Sequence, residues 1–425
     1  MTYKLYIRNA SQVVQVVDKK QTFLRGVTEC NQIAIIKNGS VLVGTDGRIA
    51  KVGTSENVAT FIKESGATFE QEIDATGKCV LPGFVDGHTH PVWAGDRAHE
   101  FILKLNGASY MEVQNAGGGI GFTTQMTRDA TEDELLELLE QRLARMLKHG
   151  STTIEGKSGY GLDADTECKM LRVLHRASLK HPIDIVSNFC GAHAVPKGST
   201  AEEATKDVIE RQIPAVMKEK AEGKNSAEFI DVFCETGVFS TEQSREILKA
   251  GKEAGLGINF HGDELTKVYS GELAGELGAD VVSHCEHLTD EGIAAMAVRP
   301  TFATLLPTTA YVLRITPPPA RKIIEANVPV ALGSDFCPNA HSMSMPFTMN
   351  LACVIMKMTC AEALVGATIN SAASLRRSHE VGSIEEGKLG DLVVLDAPLW
   401  EHVVYQMVDP PIGMVFKKGA LVYKA

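Results

Sequence analysis

Two histidines separated by one residue, His88 and His90, form the segment of this chain best suited to chemistry. They follow an apolar run, residues 80–85, with the composition of a buried strand. Because successive side chains of a strand point to opposite faces, residues two apart can aim their imidazoles at one point. Neutral imidazole is the commonest side-chain ligand of transition metals. The pair therefore predicts half of a metal site; the alternative, for an isolated pair, is two histidines in a polar loop.

The segments that must position these histidines alternate short apolar runs with amphipathic helices. Residues 131–149 and 241–254 carry charge on one face and Leu, Ile, Met or Ala on the other. This alternation implies a parallel sheet, and eight such units fit a (β/α)₈ TIM-type barrel of the α/β class. A doubly wound sheet is the alternative, but no G-x-G-x-x-G follows a predicted strand, and the glycine-rich residues 117–121 suggest an active-site loop. The predicted strands begin near Val80, Thr152, Ile183, Phe229, Gly257, Asp280, Thr301 and Val328.

Both ends of the chain have the pattern of β structure. Residues up to about Asp74 contain apolar runs around Asp46 and Gly47, a strong hairpin signal, and residues 390–423 repeat the pattern. Neither end has enough strands for independent stability, so we expect both to fold together as one small β-sandwich. The predicted division is residues 1–75 and 381–425 for the sandwich and 76–380 for the barrel.

Polar or ionisable residues follow the apolar run at seven of the eight predicted strand ends. Barrel enzymes place their chemistry where strands end and loops begin, so these residues are expected to face one site. The ends are His88 with His90, then residues 157–161, 190–193, 233–235, 259–264, 283–287 and 332–335.

A catalytic metal needs three or four nitrogen or oxygen ligands, and His88, His90, His261 and Asp335 supply that set. Taken alone, each is more often a hydrogen-bonded structural residue. His284 could be a ligand of a second metal or a residue that transfers and orients protons. Glu264 lies close enough to His261 to exchange a proton with an attacking water, although it could also be an acid at a helix N-terminus.

Four motifs of the chain resemble those of the amidohydrolase superfamily. They are the histidine pair after Pro-Gly-x-x-Asp, the later His261, Ser283-His284 and Gly333-Ser334-Asp335. The flanking β segments resemble its accessory domain. More narrowly, residues 88–97, 157–162, 191–193 and 260–264 are similar to the family of imidazolonepropionases, over a stretch from about residue 30 to the C-terminus. That family hydrolyses the cyclic amide of 4-imidazolone-5-propanoate to N-formimidoyl-L-glutamate in histidine degradation.

The resemblance implies one Zn²⁺ or Fe³⁺ per subunit, held by His88, His90, His261 and Asp335. It also implies substrate contacts from Arg97, Tyr160, His193 and Glu264, with Glu264, His284 and Asp335 moving protons in catalysis. The chemistry of the side chains agrees, since an arginine can hold a carboxylate through two parallel hydrogen bonds. A surface ion pair for Arg97, packing under the barrel mouth for Tyr160 and a capping role for His193 are the plain alternatives.

At two positions the sequence departs from the patterns of the superfamily and of the narrower family, which affects the expected number of metal ions and the predicted site residues. Many amidohydrolases bridge two metals through a carboxylated lysine at the fourth strand end, but residues 231–235 contain no lysine, which favours one metal. Cys234 or Glu235 could in principle bridge a second ion. Cys337 stands where the imidazolonepropionase family usually has asparagine, so Cys337 is left out of the predicted site and Asn339 could compensate.

The composition limits the partners. A formal net charge of -11 argues against nucleic acid, and no segment predicts a secretion signal or a membrane span. Nine cysteines without C-x-x-C spacing favour a reducing compartment, so a cytoplasmic enzyme acting on a small molecule is expected. The family resemblance suggests a homodimer. The rival functions are an aminohydrolase of a purine or related heterocycle, or a non-catalytic scaffold.

Overall fold

The computed structural model describes residues 2–108, 112–113 and 118–425. Contacts divide the chain into two compact units: one contains the residues up to Gly87, Ala144–Thr153 and Ser344–Ala425, and the other contains His88–Leu143 and Ile154–Met343. The domain boundaries near residues 75 and 380 stay predictions. None of the described helices is both long enough and apolar enough to span a bilayer.

Eight strands form a parallel sheet that follows chain order from the first strand to the last. Backbone hydrogen bonds also join the segment after the first strand to the segment after the last strand. His90 N donates to the Phe336 carbonyl at 2.9 Å, and Asp335 N donates to the His88 carbonyl at 3.0 Å. The predicted barrel is therefore confirmed. Its strands are β6 Phe84–Asp86, β7 Ser151–Lys157, β8 Asp184–Ala192, β9 Ala227–Cys234, β10 Gly257–Gly262, β11 Val281–His284, β12 Phe302–Leu305 and β13 Val330–Leu332.

Helices alternate with these strands, and the two helices predicted from periodicity are observed as Glu132–Lys148 and Thr241–Glu253. Ser240 begins the second through a reciprocal capping box with Gln243. The helices of this part are α3 Ala98–Leu105, α4 Gly119–Asp129, α5 Glu132–Lys148, α6 Ala164–Ser178, α7 Ala201–Asp207, α8 Ile213–Ala221, α9 Thr241–Glu253, α10 Ser270–Leu277, α11 Asp290–Val298, α12 Pro307–Leu313 and α13 Ala320–Glu325, with a π-helical turn at Val208–Gln212.

Strands from both ends of the chain share a second sheet, so the two ends fold together as predicted. Its strands are β1 Thr2–Val16, β2 Ala34–Val43, β3 Ile49–Thr54, β4 Thr68–Asp74, β5 Cys79–Pro82, β14 Leu392–Leu395, β15 Ile412–Lys417 and β16 Ala420–Lys424. Their order in the sheet is β16-β15-β14-β5-β1-β2-β3, with β4 beside β1. Leu5, Val80, Val394 and Phe416 pack together in its core. The accompanying helices are α1 Gly26–Asn31, α2 Ser55–Ser65, α14 Met345–Met356, α15 Cys360–Val365, α16 Ser371–Ser374 and α17 His402–Tyr405, with a π-helical turn at Gly366–Asn370.

The prediction of one strand beginning near Val80 is wrong in one respect. The apolar run is divided at Gly83: Cys79–Pro82 pairs with β1 and β14, whereas Phe84–Asp86 is the first barrel strand. A Cβ atom on Gly83 would lie 2.2 Å from Thr152 Oγ1, so only glycine fits at this crossing. His88 and His90 consequently lie in an extended segment just beyond strand β6.

Candidate metal centre

The four predicted metal ligands are buried and converge at the carboxyl end of the barrel strands. His261 lies in β10 and Asp335 just after β13. Asp335 Oδ1 lies 3.6 Å from His88 Nε2 and 4.0 Å from His90 Nε2, and His90 Nε2 lies 3.1 Å from His261 Nε2. Three imidazoles and one carboxylate at this spacing are a donor set that zinc or iron accepts.

Two further imidazoles belong to the same cluster. The donor atoms of His88, His261 and His284 lie within 4.8 Å of one another, and so do those of His90, His193 and His261. Burial lowers the pKa of His88 and His90 well below the ordinary value, and the charges of nearby lysine and histidine side chains lower it further. Burial also lowers the pKa of His261. The rings are therefore neutral at pH 7, as metal ligands must be.

Glu264 and His284 form the proposed proton-transfer pair of this site. Glu264 Oε2 lies 3.5 Å from His284 Nε2, and both side chains are buried. Burial, reinforced by the Asp335 carboxylate, raises the pKa of Glu264 well above its ordinary value, while burial lowers the pKa of His284. The raised pKa favours the protonated form of Glu264, which can donate a proton, and the lowered pKa favours a neutral His284 imidazole, which can accept one.

Backbone strain accompanies three residues of the site. Asp263, His284 and Asp335 have φ values of 54°, 77° and 48°, in the left-handed region that non-glycine residues rarely adopt. The Asp263 carboxylate accepts hydrogen bonds from Val268 N at 2.7 Å and Ser270 N at 2.8 Å. These bonds hold the sharp turn that directs the neighbouring Glu264 toward the histidines.

The predicted substrate-contacting residues line a small cavity beside the cluster. His193 stacks on His90 with ring centroids 4.5 Å apart, and the ring centroids of Tyr160 and His193 lie 5.3 Å apart. His193 Nδ1 donates to the Gly159 carbonyl at 3.0 Å, which leaves Nε2 as an acceptor. The cavity is lined by His90, Arg97, Ile120, Tyr160, His193, Phe233, His261, Glu264, His284, Thr309, Asp335, Cys337 and Asn339.

Arg97 reaches this cavity as one member of a buried ion pair. Its Nε donates to Glu100 Oε2 at 2.8 Å, and Glu100 Oε1 accepts from Gly119 N at 2.8 Å. The prediction that residues 117–121 form a loop is wrong for residues 119–121, which begin helix α4. Residue 117 lies outside the described residues. Glu100 fixes the guanidinium and also balances part of its charge.

A family model described as the amidohydrolase family matches residues 79–422. The chain belongs to the amidohydrolase family. This superfamily is metal-dependent, and the histidine and aspartate groups described above could bind a metal. The expectation drawn from the histidine pair and the strand-end motifs is therefore confirmed at the level of family and fold.

Two similar proteins carry the name "Probable imidazolonepropionase". The protein of Danio rerio is 53% identical over 425 residues, covering 100% of this chain and 98% of the relative. That of Dictyostelium discoideum is 56% identical over 422 residues, covering 99% and 98%. The solved structure of E. coli guanine deaminase matches with a TM-score of 0.71 at 18% identity over 100% of both chains, which shows a common fold.

Sequence reasoning missed the contribution of strand β12 to this amidohydrolase site. Thr309 Oγ1 donates to Asp335 Oδ2, and Thr308 Oγ1 donates to the Ser334 carbonyl. Leu306 and Pro307 separate these threonines from the strand, so the polar signal comes later than at the other strand ends. Cys337, which was left out of the predicted site, also lines the cavity. Phe233 from the fourth strand end, Ile120 from the glycine-rich segment and Asn339 line it as well.

We expect Thr309→Val to weaken metal binding about tenfold, since it removes the hydroxyl that orients the Asp335 carboxylate. Thr308→Val is the matched control, because it deletes a hydroxyl bonded to a backbone carbonyl and should lower the free energy of unfolding by about 1 kcal/mol without changing metal affinity. Competition with a chelator measures both affinities. Equal affinities in the two variants would contradict the assigned role of Thr309.

Proposed function

We propose that this amidohydrolase converts 4-imidazolone-5-propanoate to N-formimidoyl-L-glutamate by hydrolysing the cyclic amide, a step of histidine degradation. The observation that carries the proposal is the placement of Arg97, Tyr160 and His193 around one cavity beside the His and Asp cluster. Relatives that are 53% and 56% identical over nearly the whole chain, and that bear the corresponding name, support it.

The cofactor in this proposal is one Zn²⁺ or Fe³⁺ per subunit, held by His88, His90, His261 and Asp335. Such an ion, when bound, makes a water molecule nucleophilic at neutral pH and polarises a carbonyl group. The side chains beyond the ligands determine which molecule is attacked and where its protons go.

The residues around the cavity have separate roles. Arg97 binds the propanoate carboxylate, and Tyr160 with the His193 Nε2 acceptor holds the ring. Asp335 and His284 take the proton of the attacking water. The water oxygen bonds to the ring carbonyl carbon, the adjacent C–N bond breaks, and Glu264 delivers a proton to the departing nitrogen. The raised pKa of Glu264 suits this donor role.

A direct assay tests the proposed function. Purified protein with its metal quantified in the same sample should consume 4-imidazolone-5-propanoate and should leave guanine, adenosine and hydantoins unchanged. Deamination of a purine with no turnover of the imidazolone would replace this function with the aminohydrolase alternative. Loss of both activities in metal-loaded protein would favour a non-catalytic scaffold.

Arg97→Met should raise KM for 4-imidazolone-5-propanoate by about 10- to 100-fold, because a hydrogen bond to a charged group contributes roughly 1.5–3 kcal/mol. The same substitution should not affect turnover of an imidazolone that lacks the carboxylate. Glu100→Gln is the companion variant: it removes the charge that balances Arg97, so KM for the carboxylated substrate should not rise. An unchanged KM in Arg97→Met would remove Arg97 from the substrate site.

We also propose that the enzyme acts in the cytoplasm as a homodimer. Every cysteine of the chain is present as a thiol, which suits a reducing compartment. Light scattering of the purified protein tests the dimer, and fractionation of cells tests the compartment.

A further inference from the structure

A buried group of charged and polar side chains lies beneath the metal centre, and the mechanism above does not use it. Lys157 Nζ lies 2.6 Å from Asp231 Oδ2 and 2.9 Å from Glu155 Oε1. Glu155 Oε1 also accepts from Asn188 Nδ2 at 2.8 Å and Asn259 Nδ2 at 2.6 Å. The side chains of Lys157, Glu155 and Asp231 have no exposed surface.

Such a group is costly to bury. Removing an ion from water costs several kcal/mol even after the protein relaxes, and apolar side chains of the same volume often give equal or greater stability. Global stability is therefore a poor explanation for Lys157. A more specific explanation comes from the atom that Asp231 contacts on its other side.

Asp231 connects Lys157 to the predicted metal ligand His261. Its Oδ1 lies 2.8 Å from His261 Nδ1 and accepts from His261 N at 3.1 Å. An ionised carboxylate only accepts hydrogen bonds, so the ring proton is on Nδ1 and Nε2 keeps its lone pair. That Nε2 is the atom 3.1 Å from His90 Nε2, inside the ligand cluster.

We propose that Lys157 is a positioning residue for the metal centre. Its ammonium group, held by Glu155, fixes the Asp231 carboxylate, and Asp231 fixes the tautomer and ring orientation of His261. The inference rests on the proposed metal site and is independent of which substrate is hydrolysed. Partners behind a metal-bound histidine typically change metal affinity about 10- to 100-fold.

The test is the Zn²⁺ dissociation constant of Lys157→Met, measured by chelator competition. We expect binding about 10- to 100-fold weaker than in the unaltered protein. Lys417→Met is the matched control: Lys417 forms a buried pair with Asp391 at 2.5 Å, at the end of strand β15 in the sheet built from both chain ends. The control should lose stability and keep its Zn²⁺ affinity. A folded Lys157→Met protein with unaltered affinity would overturn the proposal.

A second variant keeps the test valid if Lys157→Met does not fold. Lys157→Met combined with Asp231→Asn leaves no unpaired buried carboxylate at Asp231, and we expect its Zn²⁺ binding to be weakened as well. Nitrogen-15 NMR of the metal-free protein gives an independent readout, because His261 should be the Nδ1–H tautomer in the unaltered protein and a mixture in the double variant. Retention of affinity and of a single tautomer would overturn the proposal, whereas failure of the unaltered protein to bind Zn²⁺ would overturn the metal site itself.

Discussion

His261→Asn should release the bound metal and lower kcat/KM by on the order of 10³-fold or more, since several kcal/mol of transition-state stabilisation are lost with the ion. His261 is the ligand to test first because its Nε2 lies 3.1 Å from His90 Nε2 and belongs to both histidine groups of the cluster. Metal analysis after gel filtration and steady-state kinetics measure the two effects together.

His193→Asn and His284→Asn separate ligands from neighbours within the same cluster. Both rings lie within 4.8 Å of ligand donor atoms, yet the proposed set excludes them. Both variants should therefore keep a full complement of metal while losing activity. Loss of metal from His284→Asn, with retention in His88→Asn, would contradict the proposed ligand set.

Glu264→Gln should lower kcat by about 10²- to 10⁴-fold, the usual contribution of a positioned acid or base. The amide keeps the size and hydrogen-bonding capacity of the side chain but cannot transfer a proton, so the metal content should be unchanged and KM should change little. The experiment measures kcat at saturating substrate, with metal quantified in the same preparation. Turnover at the unaltered rate would exclude Glu264 as the proton donor.

The grouping of the four predicted metal ligands could be predicted from one geometric rule, the position of side chains at the carboxyl ends of parallel strands. Carboxyl ends of parallel strands meet at one edge, so His88, His90, His261 and Asp335 could be expected together from their positions after apolar runs. The same rule brings Glu264 and His284 to that edge, because they follow neighbouring strands. The rule requires only that each strand be recognised, which the apolar composition allowed.

Contacts that depend on exact backbone paths could not be predicted. Thr309 reaches Asp335 only because the chain continues through Leu306 and Pro307 before it turns. The ion pair of Arg97 with Glu100 depends on how helix α3 begins. Strand alternation indicates that Lys157 faces inward, but periodicity does not reveal which carboxylate on another strand it meets.

The division of the first apolar run at Gly83 has a consequence for synthesis of the chain. Strand β5, which precedes the histidine pair by a few residues, hydrogen-bonds with Leu392–Leu395 near the other terminus. On the ribosome, β5 must therefore wait until residues 392–395 have emerged before this neighbour exists. A nascent chain halted before Leu392 should leave that strand edge exposed, so this sheet is completed late in synthesis although β5 is made early.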